Sequence, residues 1–234
     1  MPARAERLNI IEPDVVTSHR EAAKRILRGY PLLSRLYAAI RFLIIPQQFL
    51  DAIAQHLPAR GTVLDVGCGF GLFTLYLAMK RPHCNFIGLD LSERRVTQAK
   101  RAAELLQVTN VQFICANLGE KELPTKFNAA CCLDLLHHMT PSAGDSLINR
   151  IAASLAPGGH IIIKDITTRP RLMLYFTFLL DLLMNPADSF YYRNDEIWRA
   201  QLARSGFISL AVYPLRNFLP YPHFMLVGQK PDAR

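Results

Sequence analysis

The chain has 234 residues and carries 27 Lys and Arg against 19 Asp and Glu, a formal charge of +8 at pH 7. Half of its residues are hydrophobic and 20% are charged, a globular composition that excludes general disorder. The length suits one large α/β domain or two small ones, and the basic excess admits nucleic acid or an anionic membrane surface as a partner without requiring either.

The first twenty residues are polar and charged, without the apolar core of a signal peptide. Residues 18–57 read as helices broken near Pro31 and Pro46. They form an N-terminal helical extension, 1–57, ahead of a main domain at 58–234. From Gly61 short apolar runs alternate with helical stretches. Strands are expected at Thr62–Val66, Asn85–Leu89, Val111–Cys115, Ala129–Leu133 and His160–Ile166. Helices are expected between them at Leu72–Lys80, Ser92–Leu106 and Ser142–Leu155. Near-continuous apolar strands alternating with helices imply a parallel sheet buried on both faces. A long apolar helical segment, 171–184, and a second helix, 194–204, then interrupt the pattern, and Gly206 stops the latter. Phe207–Val212 and His223–Val227 read as the last two strands.

Leu172–Met184 includes Asp181 and is too short to cross a bilayer, which takes about 20 apolar residues. The five cysteines make no Cys-x-x-Cys and no zinc or disulfide spacing. Cys115, Cys131 and Cys132 lie in apolar runs and read as small buried hydrophobes of a reduced compartment. No metal site is expected. The surplus of positive charge lies on the flanks: nine cations against five acids in 1–60 and nine against six in 161–234, but nine against eight between them.

The most informative stretch is Leu64-Asp65-Val66-Gly67-Cys68-Gly69-Phe70-Gly71. It follows a strand and opens a helix. Glycines there let backbone approach a ligand closely, and the helix start offers unpaired N–H groups. A Rossmann dinucleotide turn needs Gly-x-Gly-x-x-Gly, but its third glycine position is Leu72. The Walker A pattern fails too, because no Gly-Lys-Ser/Thr follows.

What remains, Asp-x-Gly-x-Gly-x-Gly, resembles motif I of the class I S-adenosylmethionine-dependent methyltransferases. Further matches follow in order at the strand ends. Phe86-Ile87-Gly88-Leu89-Asp90-Leu91-Ser92 is similar to the family's ribose-binding acidic motif, and Cys115-Ala116-Asn117-Leu118 has Asn117 where many members have Asp. Leu133-Asp134-Leu135-Leu136-His137-His138-Met139 closes strand four, and Leu155-Ala156-Pro157-Gly158-Gly159-His160 looks like the turn into strand five. The resemblance covers about residues 55–230. It implies a Rossmann-like, seven-stranded, mostly parallel sheet with a terminal antiparallel strand and helices on both faces. A helical lid is inserted at about 170–193. It also implies S-adenosyl-L-methionine as cofactor, held by Asp65, Gly67, Cys68, Gly69, Gly71, Asp90, Leu91, Asn117, Leu118 and Asp134. In that reading Asp90 accepts from the ribose hydroxyls, Asn117 pairs with the adenine amino group, and Asp65 serves the amino end of the methionine moiety. Cys68 contributes backbone and no nucleophile.

The acceptor is read from what surrounds these motifs. The Asn/Asp-Pro-Pro-Tyr/Phe of amino-methylating nucleic-acid enzymes is missing after strand four, and no cysteine follows a proline as in cytosine-C5 enzymes. Asp134-x-x-x-His138 matches the spacing that supplies an active-site histidine in phosphoethanolamine methyltransferases, where a tyrosine from the N-terminal helices completes the pair. Tyr30 or Tyr37 fills that role here, and the alternative is a histidine that merely shapes the pocket. Residues 170–193 and Arg35–Ile45 are apolar enough to roof a cavity, to pack as plain core or to lie on a membrane surface. The expectation is therefore an enzyme of the cytoplasm or of a membrane surface that methylates oxygen or carbon of an apolar or aromatic small molecule. The alternatives are a nucleic-acid methyltransferase and a non-catalytic cofactor-binding partner protein. The oligomeric state stays open.

Overall fold

Two prolines shape the N-terminal segment. Helix α1 (His19–Arg28) is followed by Pro31 and α2 (Leu32–Ile44), then by Pro46 and α3 (Gln47–Gln55). Each proline takes the residue just before a helix, with ψ of 159° and 166°, where its missing N–H leaves no helical carbonyl unsatisfied. The structure is a computed structural model and describes residues 19–117, 123, 126–184, 188–215 and 219–233.

The sheet comprises β1 (Gly61–Val66), β2 (Cys84–Asp90), β3 (Val111–Cys115), β4 (Phe127–Leu133), β5 (Leu155–Ile166), β6 (Ile208–Leu215) and β7 (His223–Gln229). Its order is β3-β2-β1-β4-β5-β7-β6. β7 runs antiparallel to both neighbours, and the remaining pairings are parallel. The order reverses between β1 and β4, so the ligand crevice of such a sheet lies outside their carboxyl ends. Helices α4 (Leu72–Lys80), α5 (Glu93–Leu106), α6 (Pro141–Ser154), α7 (Arg171–Met184) and α8 (Asp195–Arg204) connect the strands. Three starts are capped by side chains: Ser92, Thr140 and Asn194 accept from the N–H groups of Arg95, Ala143 and Ile197.

Two buried clusters cover the two faces. Ile26, Phe49, Leu50, Val63, Tyr76 and Phe113 belong to one, and Phe127, Ile148, Ile163, Trp198 and Phe224 to the other. The N-terminal helices thus share a core with α4 and α5. Two polar links fasten them: Ser34 donates to Gln98 Oε1 at 2.6 Å, and Arg25 donates to the Leu106 carbonyl at 2.7 Å.

Two expectations need correction. The stretch from Leu155 to Gly159 is already part of β5 rather than a turn before it. Leu155 pairs with Phe127, the register then shifts, and the Lys230 N–H donates to the Gly159 carbonyl at 2.8 Å, so backbone pairing continues across the irregularity. Cys115, expected to be buried, is exposed, because it ends the edge strand β3 and has no neighbouring strand on one side.

Gly144 illustrates how closely α6 and α8 pack. A Cβ there would come within 2.9 Å of the Trp198 ring, which is 1% exposed and has Arg193 stacked over it at 4.2 Å. Ala is the better helix former by about 1 kcal/mol, but overpacking against a rigid buried ring costs about 1–3 kcal/mol. Gly144→Ala should therefore lower stability by about 1 kcal/mol, read as an earlier midpoint in chemical denaturation.

Candidate active site

β1 ends at Val66 and the chain turns through Gly67–Gly71 into α4. Gly67, Gly69 and Gly71 have φ of 76°, 56° and 74°, the left-handed region that favours glycine. Their surroundings differ. A Cβ on Gly67 would fall 2.6 Å from Leu135 and one on Gly71 2.6 Å from Phe113, whereas one on Gly69 meets nothing within 4 Å. The outer two glycines answer to packing inside the protein. The middle one borders open space.

The end of β2 organises this turn. The Leu89 carbonyl accepts from the Gly67 and Cys68 N–H groups at 2.7 and 2.9 Å. Asp90 Oδ2 accepts from the Gly69 N–H at 2.8 Å and Oδ1 from the Ser92 N–H at 2.9 Å. Each carboxylate oxygen keeps a lone pair for a further donor. Leu91 and Asn117 are exposed beside it, while Leu118 lies outside the described residues. Asp65 is buried and accepts from the Thr74 hydroxyl at 2.5 Å. Burial pushes its carboxyl up to about 6. Cys68 is unsuited to nucleophilic work, because burial holds its thiol well above the ordinary value.

The N-terminal helices reach the same turn. Tyr30 is buried and donates to the Phe70 carbonyl at 2.5 Å, and the Tyr37 ring lies 5.1 Å from the Phe70 ring. Burial raises the Tyr30 phenol far above its ordinary value. His138 has other company. Its Nδ1 lies 3.0 Å from Asp188 Oδ2 without hydrogen-bond alignment, and its ring meets Phe190 edge-on. Burial, and then the adjacent His137, lower its pKa to about 4. The structure therefore places Tyr30 on the glycine turn and His138 on the segment after α7.

A second group of polar residues gathers at the carboxyl ends of β4 and β5, and sequence reasoning found one of its members. Asp134, at φ 54°, is buried between two cations. Arg41 of α2 donates to its Oδ2 at 2.7 Å, and the wholly buried Lys164 of β5 donates to its Oδ1. Burial works to raise the Asp134 carboxyl, but the two cations outweigh it and hold it well below the carboxylate range. Beside this triad His137 Nδ1 lies 2.5 Å from Asp165 Oδ1, and His137 Nε2 lies 3.8 Å from Asp181 of α7. Tyr192 donates to Asp181 at 2.7 Å. Burial alone would lower the His137 pKa, but Asp165 outweighs it and raises it. His223 at the start of β7 is buried, its ring nitrogens without a hydrogen-bond partner among the described residues, and burial holds its pKa well below the ordinary value. The sequence signal for this group was Lys164-Asp165, two charges inside an otherwise apolar strand.

A cleft of about 530 Å³ adjoins these residues, lined by Thr168, Arg169, Arg171, Leu174, Tyr175, Phe178 and Tyr192. It does not include the glycine turn. Tyr192 connects it to the Asp181–His137–Asp165 series.

A methyltransferase-domain family model matches residues 63–159, the stretch from β1 to the start of β5. The chain is 33% identical over 129 residues to a ubiquinone biosynthesis O-methyltransferase of Dechloromonas aromatica, 54% of this chain and 53% of that protein. It thus spans about half the length of the curated relatives it matches. The apo S-adenosylmethionine-dependent methyltransferase SibL superposes with a TM-score of 0.69 at 17% identity, over 88% of this chain and 61% of that one. Magnesium protoporphyrin IX methyltransferase from Synechocystis PCC 6803, with bound S-adenosylhomocysteine, superposes with a TM-score of 0.62 at 21% identity, over 93% and 90%. At these identities the structural likeness is one of fold. The chain thus shares the fold of S-adenosylmethionine-dependent methyltransferases, and its residues 63–159 match a methyltransferase domain.

The buried triad sets a clear stability test. Removing the shared anion leaves Lys164 buried without a counter-charge, a situation that costs about 3–5 kcal/mol. Asp134→Ala should lose that much in chemical denaturation. The double variant Asp134→Ala with Lys164→Met should recover most of it, because no orphaned ammonium remains.

Proposed function

We propose that the protein transfers a methyl group from S-adenosylmethionine to an oxygen of a small molecule with an apolar or aromatic body. The observation that carries the reading is the open position over Gly69 beside the Asp90 carboxylate. The residues present fit this cofactor. Asp90 has lone pairs for two ribose hydroxyls, and Asn117 places a polar carboxamide at the exposed end of β3, the chemistry an adenine edge requires. Asp65 supplies negative charge near the amino end. S-adenosylmethionine supplies an electrophilic methyl on a sulfonium, so the protein's task is alignment and exclusion of water.

The acceptor side is read from the cleft. Leu174, Tyr175, Phe178 and Tyr192 suit an apolar or aromatic body, and Arg169 and Arg171 suit an anionic or polar substituent. Oxygen as the acceptor atom accords with the names of the relatives. Such an acceptor gives up a proton as the new bond forms. His138, lowered to about 4, is a weak base at neutral pH. His137 is raised by Asp165 and has a carboxylate at each ring nitrogen, an arrangement that favours its protonated form. Its Nε2 faces Asp181, which Tyr192 joins to the cleft.

Two measurements test the cofactor. Hydrogen bonds to a charged group are worth about 1.5–3 kcal/mol, so Asp90→Ala should weaken cofactor binding about ten- to a hundredfold in calorimetry. Gly69→Val should abolish binding with the fold intact by circular dichroism. Wild-type affinity in both variants would overturn the reading.

A pH series tests Asp65. Its carboxyl is ionised above about pH 6 and neutral below. Protonation removes a negative charge facing a cationic ligand, so affinity should fall as pH drops through about 6. The expected loss is about fivefold, equivalent to about 1 kcal/mol. Asp65→Asn should bind weakly at every pH, without that step.

A further inference from the structure

The two helices flanking the site turn apolar surface outward. On α2, Leu32, Leu33, Leu36 and Leu43 are 54–81% exposed, and on α7, Leu172, Leu179 and Leu183 are 66–81% exposed. Both helices are anchored at one edge of the sheet. Arg41 fixes α2 to Asp134, and Asp181 fixes α7 to Tyr192 beside His137. Arg41 and Asp181 lie close enough to influence each other's ionisation, so the two helices approach one another there.

Neither helix exposes an acid on this surface. α2 contains no acid. The single acid of α7, Asp181, is turned inward to Tyr192. Arg35 on α2, with Arg169 and Arg171 at the start of α7, is exposed. Exposed leucines bordered by arginines, on helices that expose no acid, are the pattern of a helix face that rests on anionic lipid headgroups.

We propose that the α2–α7 face docks on an anionic lipid bilayer, its helices in the plane of the headgroups and its leucines among the acyl chains. A transmembrane arrangement does not fit. Among the described residues no single helix is long and apolar enough to cross, and α2 with α3 qualifies only as a pair bent by 74°. α3 is committed to the core through Phe49, Leu50 and Ile53. A second copy of the chain is the other way to cover such a face. A two-fold contact there sets like arginine rims against each other, whereas anionic lipid neutralises them. The cleft lined by Arg169, Arg171, Tyr175 and Phe178 adjoins this face, so a lipid-soluble acceptor enters it from the bilayer. That last step rests on the methyl-transfer reading; the docking does not.

Flotation of the full chain with vesicles separates the possibilities without turnover. Vesicles of phosphatidylcholine alone are compared with vesicles of phosphatidylcholine and phosphatidylglycerol, at low and high salt. The wild type should float with the anionic vesicles and be released by salt. Arg35→Ala should lose about fivefold in vesicle affinity. The pairs Leu36→Glu with Leu43→Glu and Leu179→Glu with Leu183→Glu should each lose more than tenfold, with circular dichroism unchanged. Three results would each overturn the proposal: no flotation of the wild type, equal binding to neutral vesicles, or a solution dimer dispersed by the leucine substitutions with no vesicle binding. A protein that floats yet transfers no methyl group would overturn the function proposed above and leave the docking in place.

Discussion

Asp134 ties together three segments of the chain through one carboxylate. Its carboxylate takes Arg41 from α2, 93 positions earlier, and Lys164 from β5, 30 positions later. Burying Lys164 and the Asp134 carboxylate is expensive, and an ion pair in a dry interior is tolerated only where geometry and further hydrogen bonds compensate. Here the Asp134 N–H also donates to the Lys164 carbonyl at 2.8 Å, so backbone and side chain lock the same two residues. The consequence is positional. The N-terminal helices are held over the switch point, and the glycine turn and the polar group at β4–β5 face one crevice.

Cation excess is confined within that crevice. Arg41 and Lys164 share one anion at Asp134, while His137 draws on Asp165 and Asp181. His223, packed against Tyr221 and Phe49, stays neutral because another positive charge there is disfavoured by burial and by Lys164. His138 is lowered by the same logic, burial first and then its neighbour His137. Two adjacent histidines thus take opposite shifts. One has a carboxylate aligned on its Nδ1, and the other has a carboxylate at ion-pair distance without alignment.

That divergence marks the limit of what sequence reveals. The strands at Thr62–Val66, Asn85–Leu89 and Val111–Cys115 lie within the observed elements because local apolar runs specify them. The glycine turn was legible for a similar reason, since φ demands at Gly67, Gly69 and Gly71 are local. The spacing Asp134-x-x-x-His138 singled out a histidine by counting along the chain. The acid aligned on a histidine here is Asp165, from another strand, and its partner is His137. Tyr30 also answers to a distant residue, the Phe70 carbonyl. Pairings of this kind depend on sheet order, which sets β4 beside β5 and which no short motif encodes.

The two halves of the crevice differ in how they are built, and this bears on what each can recognise. Around Gly67–Gly71 the framework is backbone: N–H groups of Gly67, Cys68 and Gly69 are tied to Leu89 and Asp90. Backbone tied at both ends adjusts little, which suits a ligand whose ribose and adenine never vary. The opposite half is made of side chains from α7 and residues 190–192, joined by aromatic contacts such as Phe178 with Phe190 and Phe176 with Tyr221. A main-chain hydrogen bond, from the Tyr191 N–H to the His137 carbonyl at 2.7 Å, fastens 190–192 to the turn after β4. Side-chain surfaces of this kind repack at low cost when one residue changes size, so acceptor choice can vary while the cofactor half stays fixed. In the function proposed above, selectivity falls to Tyr175, Phe178 and Tyr192, which line the cleft, and cofactor binding to Asp90 and the glycine turn.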